Sequence, residues 1–169
     1  MRVYVGPTVL YDLGQVGETD LLGVLDGEVV VPEAVAAEVT VEPARRNLER
    51  ARGDEVLTIE PVETDLTERA TSLLGESELL ADGRLVEAVL AAQTADEDVG
   101  VVSADRRVRA VADGLGATVT GTFGVVVRAA AADKYLSRTQ AKRIVRRLDS
   151  HGLHLTGELR ERAVGAGDA

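Results

Sequence analysis

Runs of valine set the first limit on how this chain can fold. Val29, Val30 and Val31 follow one another directly, and Val99-Gly100-Val101-Val102 repeats the pattern later. A strand with one wet face alternates apolar and polar residues. A strand covered on both faces has no reason to alternate. The apolar stretches Arg2–Val5, Glu28–Val31, Glu55–Ile59, Gly100–Ser103 and Ala117–Val119 are therefore read as strands, and helix-forming segments separate them. Strands that alternate with helices predict a parallel sheet with helices on both faces, a three-layer α/β/α sandwich.

Local signals place the helices. Pro7, Pro32 and Pro43 suit first helical turns, where a missing N–H costs nothing. Thr19-Asp20 and Thr64-Asp65 offer caps, and Gly27 and Gly53 are stops. Glu78–Ala92 is read as mostly helical, with Gly83 as a weak point or a restart, and Phe123–Ala132 as an apolar helix. Ser137 with Gln140 resembles a capping box and Thr156 a second cap, with a break at His151-Gly152. Residues 1–134 are expected to form one domain, and residues 135–169 a helical hairpin appended to it.

Composition narrows the chemistry. The 169 residues include no Cys and only two His, which excludes disulfides, thiolate zinc sites and cysteine nucleophiles. His151 and His154 both fall late, so no Ser-His-Asp arrangement is credible. Residues 1–65 carry 14 acids against five bases, and the rest 15 against 14. Of the 19 basic residues only Lys134 and Lys142 are lysine. An acidic, lysine-poor surface suits a halophilic cytosol, where dense carboxylates hold water. High salt screens phosphate attraction, so the net charge of −10 does not exclude nucleic acid. No apolar stretch is long enough to span a membrane, and a cytoplasmic location is expected.

Four acids stand at pointed positions. Asp105 ends the fourth strand in Ser103-Ala-Asp105, and carboxyl ends of strands are where ligands collect in such sheets. Glu38 closes the helix after the second strand. Glu78 and Asp82 are four apart, which predicts one shared helix face. Clustered carboxylates without His or Cys prefer hard ions, Mg²⁺ or Mn²⁺, which activate water and neutralise charge on a phosphate. Each acid also has a plainer use: Asp82 and Asp105 as helix caps, Glu38 as a solvated residue, Glu78 in a helix start.

In their order, Val3-Tyr-Val-Gly-Pro-Thr-Val-Leu, Val31-Pro-Glu-Ala-Val-Ala-Ala-Glu38-Val, Gly75-Glu-Ser-Glu and Ser103-Ala-Asp105-Arg-Arg, followed by Leu115-Gly-Ala-Thr-Val-Thr-Gly-Thr-Phe-Gly, resemble PIN-domain proteins, close to an archaeal toxin-like subgroup. The resemblance implies Glu38, Asp82 and Asp105 as catalytic and metal-binding acids, with Glu78 as the rival of Asp82. Ser103 would support a carboxylate or a water. It also implies one or two Mg²⁺ or Mn²⁺ ions, RNA as substrate, an antitoxin partner and a homodimer. One position departs. Family members end the first strand with Asp, and here Gly6 stands in its place. The nearest acid, Asp12, is expected to face solvent.

Two readings follow. The chain is a metal-dependent PIN-like ribonuclease, a toxin whose activity is weakened or lost at Gly6, or it is an inactive PIN-like module that binds RNA or a partner protein. Arg138, Lys142, Arg143 and Arg146 make the first appended helix basic, which suits either an RNA-contacting arm or pairing with the acidic half of the chain.

Overall fold

The computed structural model describes residues 1–132 and 137–150. Five parallel strands form the sheet: β1 (Arg2–Val5), β2 (Glu28–Pro32), β3 (Thr58–Glu60), β4 (Val99–Val102) and β5 (Thr118–Thr120). Their order is β3-β2-β1-β4-β5, so the first and fourth strands lie at the centre. Val5 pairs with Val102 at the carboxyl ends of these two strands.

The valine runs do what their pattern predicts. Val3, Val5, Val29, Val31 and Val102 pack on one face against α1 (Pro7–Gln15), α3 (Ala44–Gly53), α7 (Thr122–Ala131) and α8 (Arg138–Ser150). Val99 and Val101 pack on the other face beneath α4 (Thr67–Leu74), α5 (Gly83–Thr94) and α6 (Arg106–Gly114). Each fully buried valine contributes about 2 kcal/mol. The short α2 (Glu33–Glu38) follows β2, and Thr19–Val24 forms a 3-10 turn where a regular helix was expected. Strand β3 starts later than the apolar pattern suggests, because Glu55 turns the chain at φ 59.

Segment 78–82 corrects the sequence reading. It is irregular, so Glu78 and Asp82 do not share a helix face. Gly75 closes α4 at φ 68, a conformation that favours glycine, and α5 begins only at Gly83. What read as a helix start at Gly75-Glu-Ser-Glu is a helix end.

The capping box at the start of α8 forms as expected. Ser137 N–H donates to Gln140 Oε1 at 2.8 Å, and Gln140 N–H donates to Ser137 Oγ at 3.2 Å. Ala141, Ile144, Val145 and Leu148 then join the core under α1 and α7. The second appended helix, its cap at Thr156, His151, His154 and Lys134 lie outside the described residues. No helix among the described residues is long and apolar enough to cross a membrane.

Candidate active site

The carboxyl edge of the sheet gathers the acids. Gly6 follows β1 directly and donates its N–H to Val102 O at 2.9 Å. Ser103 follows β4, is 1% exposed, and donates its N–H to Thr120 O. Its Oγ accepts from Asp105 N–H at 3.1 Å, which fixes the turn into α6. Asp105 is exposed and caps that helix: one oxygen, Oδ1, accepts from the N–H groups of Arg107 (2.8 Å) and Val108 (3.1 Å). The Ser103 hydroxyl thus holds the Asp105 backbone at the start of α6.

Asp82 precedes α5 in the capping position, yet its carboxylate makes no capping hydrogen bond. Burial pushes its pKa up to about 6, and the negative charges of Asp105, Glu38 and Glu76 push in the same direction. No arginine opposes them. Glu38, at the exposed end of α2, and Asp105 therefore lie within electrostatic reach of Asp82. Glu78 is exposed and does not enter this set.

The sequence reading missed Glu76. Its Oε2 is buried without a hydrogen-bond partner among the described residues. Its N–H donates to Thr71 O at 3.0 Å, and Gly75 N–H donates to Ser72 O, which is the closing turn of α4. The position after a left-handed helix cap usually holds an apolar residue that folds back on the helix. An acid there was the available signal.

Position 6 looks into the same cluster. A β-carbon on Gly6 would lie 3.0 Å from Asp82 Oδ1 and 3.3 Å from Leu85 Cδ1. The backbone does not require glycine, since φ is −85 and ψ 166, a region any residue adopts. A side chain at position 6 would therefore meet Asp82 directly.

Asp12 does not replace it, and it does not face solvent as expected. It is 9% exposed and accepts from Thr122 Oγ1 at 3.2 Å. Helix α1 is packed by α3 on one side and α7 on another, so its buried face is wider than one stripe. Burial pushes the Asp12 carboxyl above its ordinary range, and the Thr122 hydrogen bond pulls it back in part.

The basic residues of α8 lie elsewhere. Arg147 meets Glu18 at 4.0 Å, and Arg143 lies in the field of the same carboxylate. Lys142 is half-buried and Arg146 exposed, whereas the Arg138 side chain lies outside the described residues. A surface groove of about 570 Å³ opens at the opposite edge of the sheet beside Met1, Glu28 and Val99. It holds none of the coupled acids, so size is no guide to the chemistry here.

A family model for the PIN domain matches residues 5–166. The chain belongs to the PIN domain family. No curated protein and no solved structure matches it. PIN domains carry a nuclease-type fold and are in general divalent-metal-dependent.

The donor set suits a hard cation in kind. It is all carboxylate oxygen, its charges add to burial in raising the pKa of Asp82, and it includes a buried oxygen on Glu76 with no partner among the described residues. As the side chains stand, no three acids or histidines among the described residues converge to hold one ion. Gly6, whose β-position faces Asp82, offers no side-chain ligand.

Proposed function

We propose that this PIN domain is a divalent-metal-dependent ribonuclease whose ion site is weakened by Gly6. The observation that carries the reading is Asp82: a half-buried carboxylate, uncapped and without an ion-pair partner among the described residues, whose pKa is raised first by burial and further by three other acids. A structural acid acquires a cation or a hydrogen-bond donor. A set of acids that repel one another is kept where a cation is to be recruited.

Asp82, Asp105, Glu38 and Glu76 would hold Mg²⁺ or Mn²⁺ between them. The bound ion supplies an acidified water and neutralises charge on the scissile phosphate. The chain's own groups hold the arrangement: Ser103 and the N-terminus of α6 fix Asp105. Without a carboxylate at position 6 the site has fewer charges to offer. Weak ion affinity and slow turnover follow.

The test is cleavage of single-stranded RNA under high salt with millimolar Mn²⁺. Wild type is expected to cut, and Asp105→Asn to lose the activity while keeping its helix cap, because Asn accepts the same backbone bonds. No cleavage by wild type at saturating Mn²⁺ would defeat the reading. A role as the toxin of a toxin–antitoxin pair belongs to the same reading, and expression in a host tests it. Growth should arrest with wild type and continue with Asp105→Asn.

Gly6 and the unconverged carboxylates favour a second reading, an RNA-binding PIN module that does not cut. In that case Gly6→Asp should create cleavage where wild type has none.

A further inference from the structure

Helix α6 opens with three arginines, Arg106, Arg107 and Arg109, directly behind Asp105. Helix electrostatics argue against this placement. The first turn is the positive end of the macrodipole, where acids stabilise and cations do not. Nor do the arginines serve as ion pairs. Among the described residues none of the three has a carboxylate within salt-bridge distance, in a chain with 29 acids.

Two of them are instead held by backbone carbonyls. Arg107 Nη1 donates to Leu74 O at 3.1 Å, at the end of α4 and next to the Glu76 turn. Arg109 Nη1 donates to Ser103 O at 2.7 Å, at the end of β4. One anchor lies at the end of the strand that leads to Asp105, the other at the turn that carries Glu76. Gly121 lies beside the Arg109 anchor: a β-carbon there would be in ordinary contact with Arg109 Nη1 and Ser103 O, each at 3.6 Å. A carbonyl orients a guanidinium without cancelling its charge, and a guanidinium has donors to spare for a second acceptor.

We propose that Arg107 and Arg109 are a phosphate clamp that grips the RNA backbone on both sides of the acidic cluster. The proposal rests on the ribonuclease reading and assigns the groups that seat the substrate there. It explains how so acidic a domain tolerates a polyanion. The carboxylates await a cation, and the two anchored arginines meet the flanking phosphates through charge-assisted, fork-shaped contacts. Sequence is not read by such contacts, so the clamp fixes register and leaves base preference to other groups.

The experiment measures binding of a labelled single-stranded RNA oligonucleotide by fluorescence anisotropy. It uses Asp105→Asn protein to suppress cleavage and runs across a salt series. Arg107→Ala and Arg109→Ala should each weaken binding about tenfold. Each should also reduce the slope of log affinity against log salt by about 0.7, the value for one phosphate contact on a single strand. Arg107→Lys and Arg109→Lys should keep the slope and lose part of the affinity. Arg50→Ala, exposed on α3 across the sheet, should change neither.

Two results would overturn the clamp alone. One is unchanged affinity and slope in both alanine variants. The other is a fall in Tm with no change in slope, which would make the arginines mere helix-end braces. If RNA binds through the arginines and wild type never cuts it, the clamp stands and the nuclease reading falls. If no RNA binds at all, both fall together.

Discussion

Glu87 and Asp82 sit five residues apart at the beginning of one helix, and the protein treats them in opposite ways. Glu87 is 0% exposed on the inner face of α5. Its carboxylate takes hydrogen bonds from Thr64, Thr67 and Arg84, so a buried charge is paired and satisfied. Asp82 has neither a cap bond nor a cation, and its neighbours are acids. A buried charge is tolerated only when it is compensated. Glu87 finds its compensation within the chain and stitches α5 to the segment that leads into α4. Asp82 finds none, and that deficit is what an external cation would fill. The contrast separates a seam that holds the fold from an edge that strains it.

The largest effect should come from the seam. Glu87→Ala leaves Thr64, Thr67 and Arg84 without their acceptor and opens a hole between α4 and α5. A loss of about 3 kcal/mol is expected, or roughly 10 °C in Tm for a chain of this size. Thermal unfolding followed by circular dichroism measures it. A Tm within 2 °C of wild type would show that the seam is not a stabilising network. Asp105→Asn should behave in reverse, with Tm nearly unchanged and RNA cleavage down by roughly a hundredfold or more. Cleavage rates beside melting curves would show whether edge and seam differ in kind.

How far the sequence disclosed this division depends on the residue. The unalternating valines announced a sheet covered on both faces, and the carboxyl-edge position of Asp105 followed from it. Asp105 was also legible as a cap. Asp82 was singled out too, but the placement of the acids in segment 75–82 was not legible. Their placement turns on Gly75, whose left-handed φ ends α4, and a glycine between two helical patterns can read as a start or as a stop. Glu76 was lost with it. Asp12 was misread because a single helical stripe was taken as the whole buried face, whereas α3 and α7 cover α1 from two directions. Ser103 was singled out as a support for a carboxylate or a water; the bond its hydroxyl makes is with the Asp105 backbone N–H.

A smaller effect tests the gap at position 6. Gly6→Asp brings a fifth carboxylate against Asp82 Oδ1, on backbone angles that accept it. In EDTA the added like charge should lower Tm by a few degrees. With Mn²⁺ the variant should recover and exceed wild type, since an ion at a hundred times its dissociation constant adds about 2.7 kcal/mol. Wild type should gain less. If Mn²⁺ stabilises both proteins equally, position 6 is not part of the ion site.

The smallest effect is the pH dependence of the metal-free protein, and its sign follows from Asp82. An ordinary aspartate titrates at 3.8, and burial among acids raises Asp82 to about 6. The folded state therefore holds this proton more tightly than the unfolded chain does. Stability is highest, as far as this group is concerned, below pH about 4, and it falls as pH rises from there through about 6. Asp12 and Glu18, both raised by burial, tilt the curve the same way. Asp82→Asn removes only its own share, so in EDTA the variant should gain on wild type at pH 7.5 and stay level with it at pH 4. Urea midpoints at the two pH values measure the difference. The seam supplies the control: Glu87→Gln should lose stability at pH 7.5, because a neutral amide gives Arg84 and the two threonines a poorer acceptor. If Asp82→Asn and Glu87→Gln shift the midpoint in the same direction at pH 7.5, the two acids do one job, and the edge has no unmet charge for a cation to satisfy.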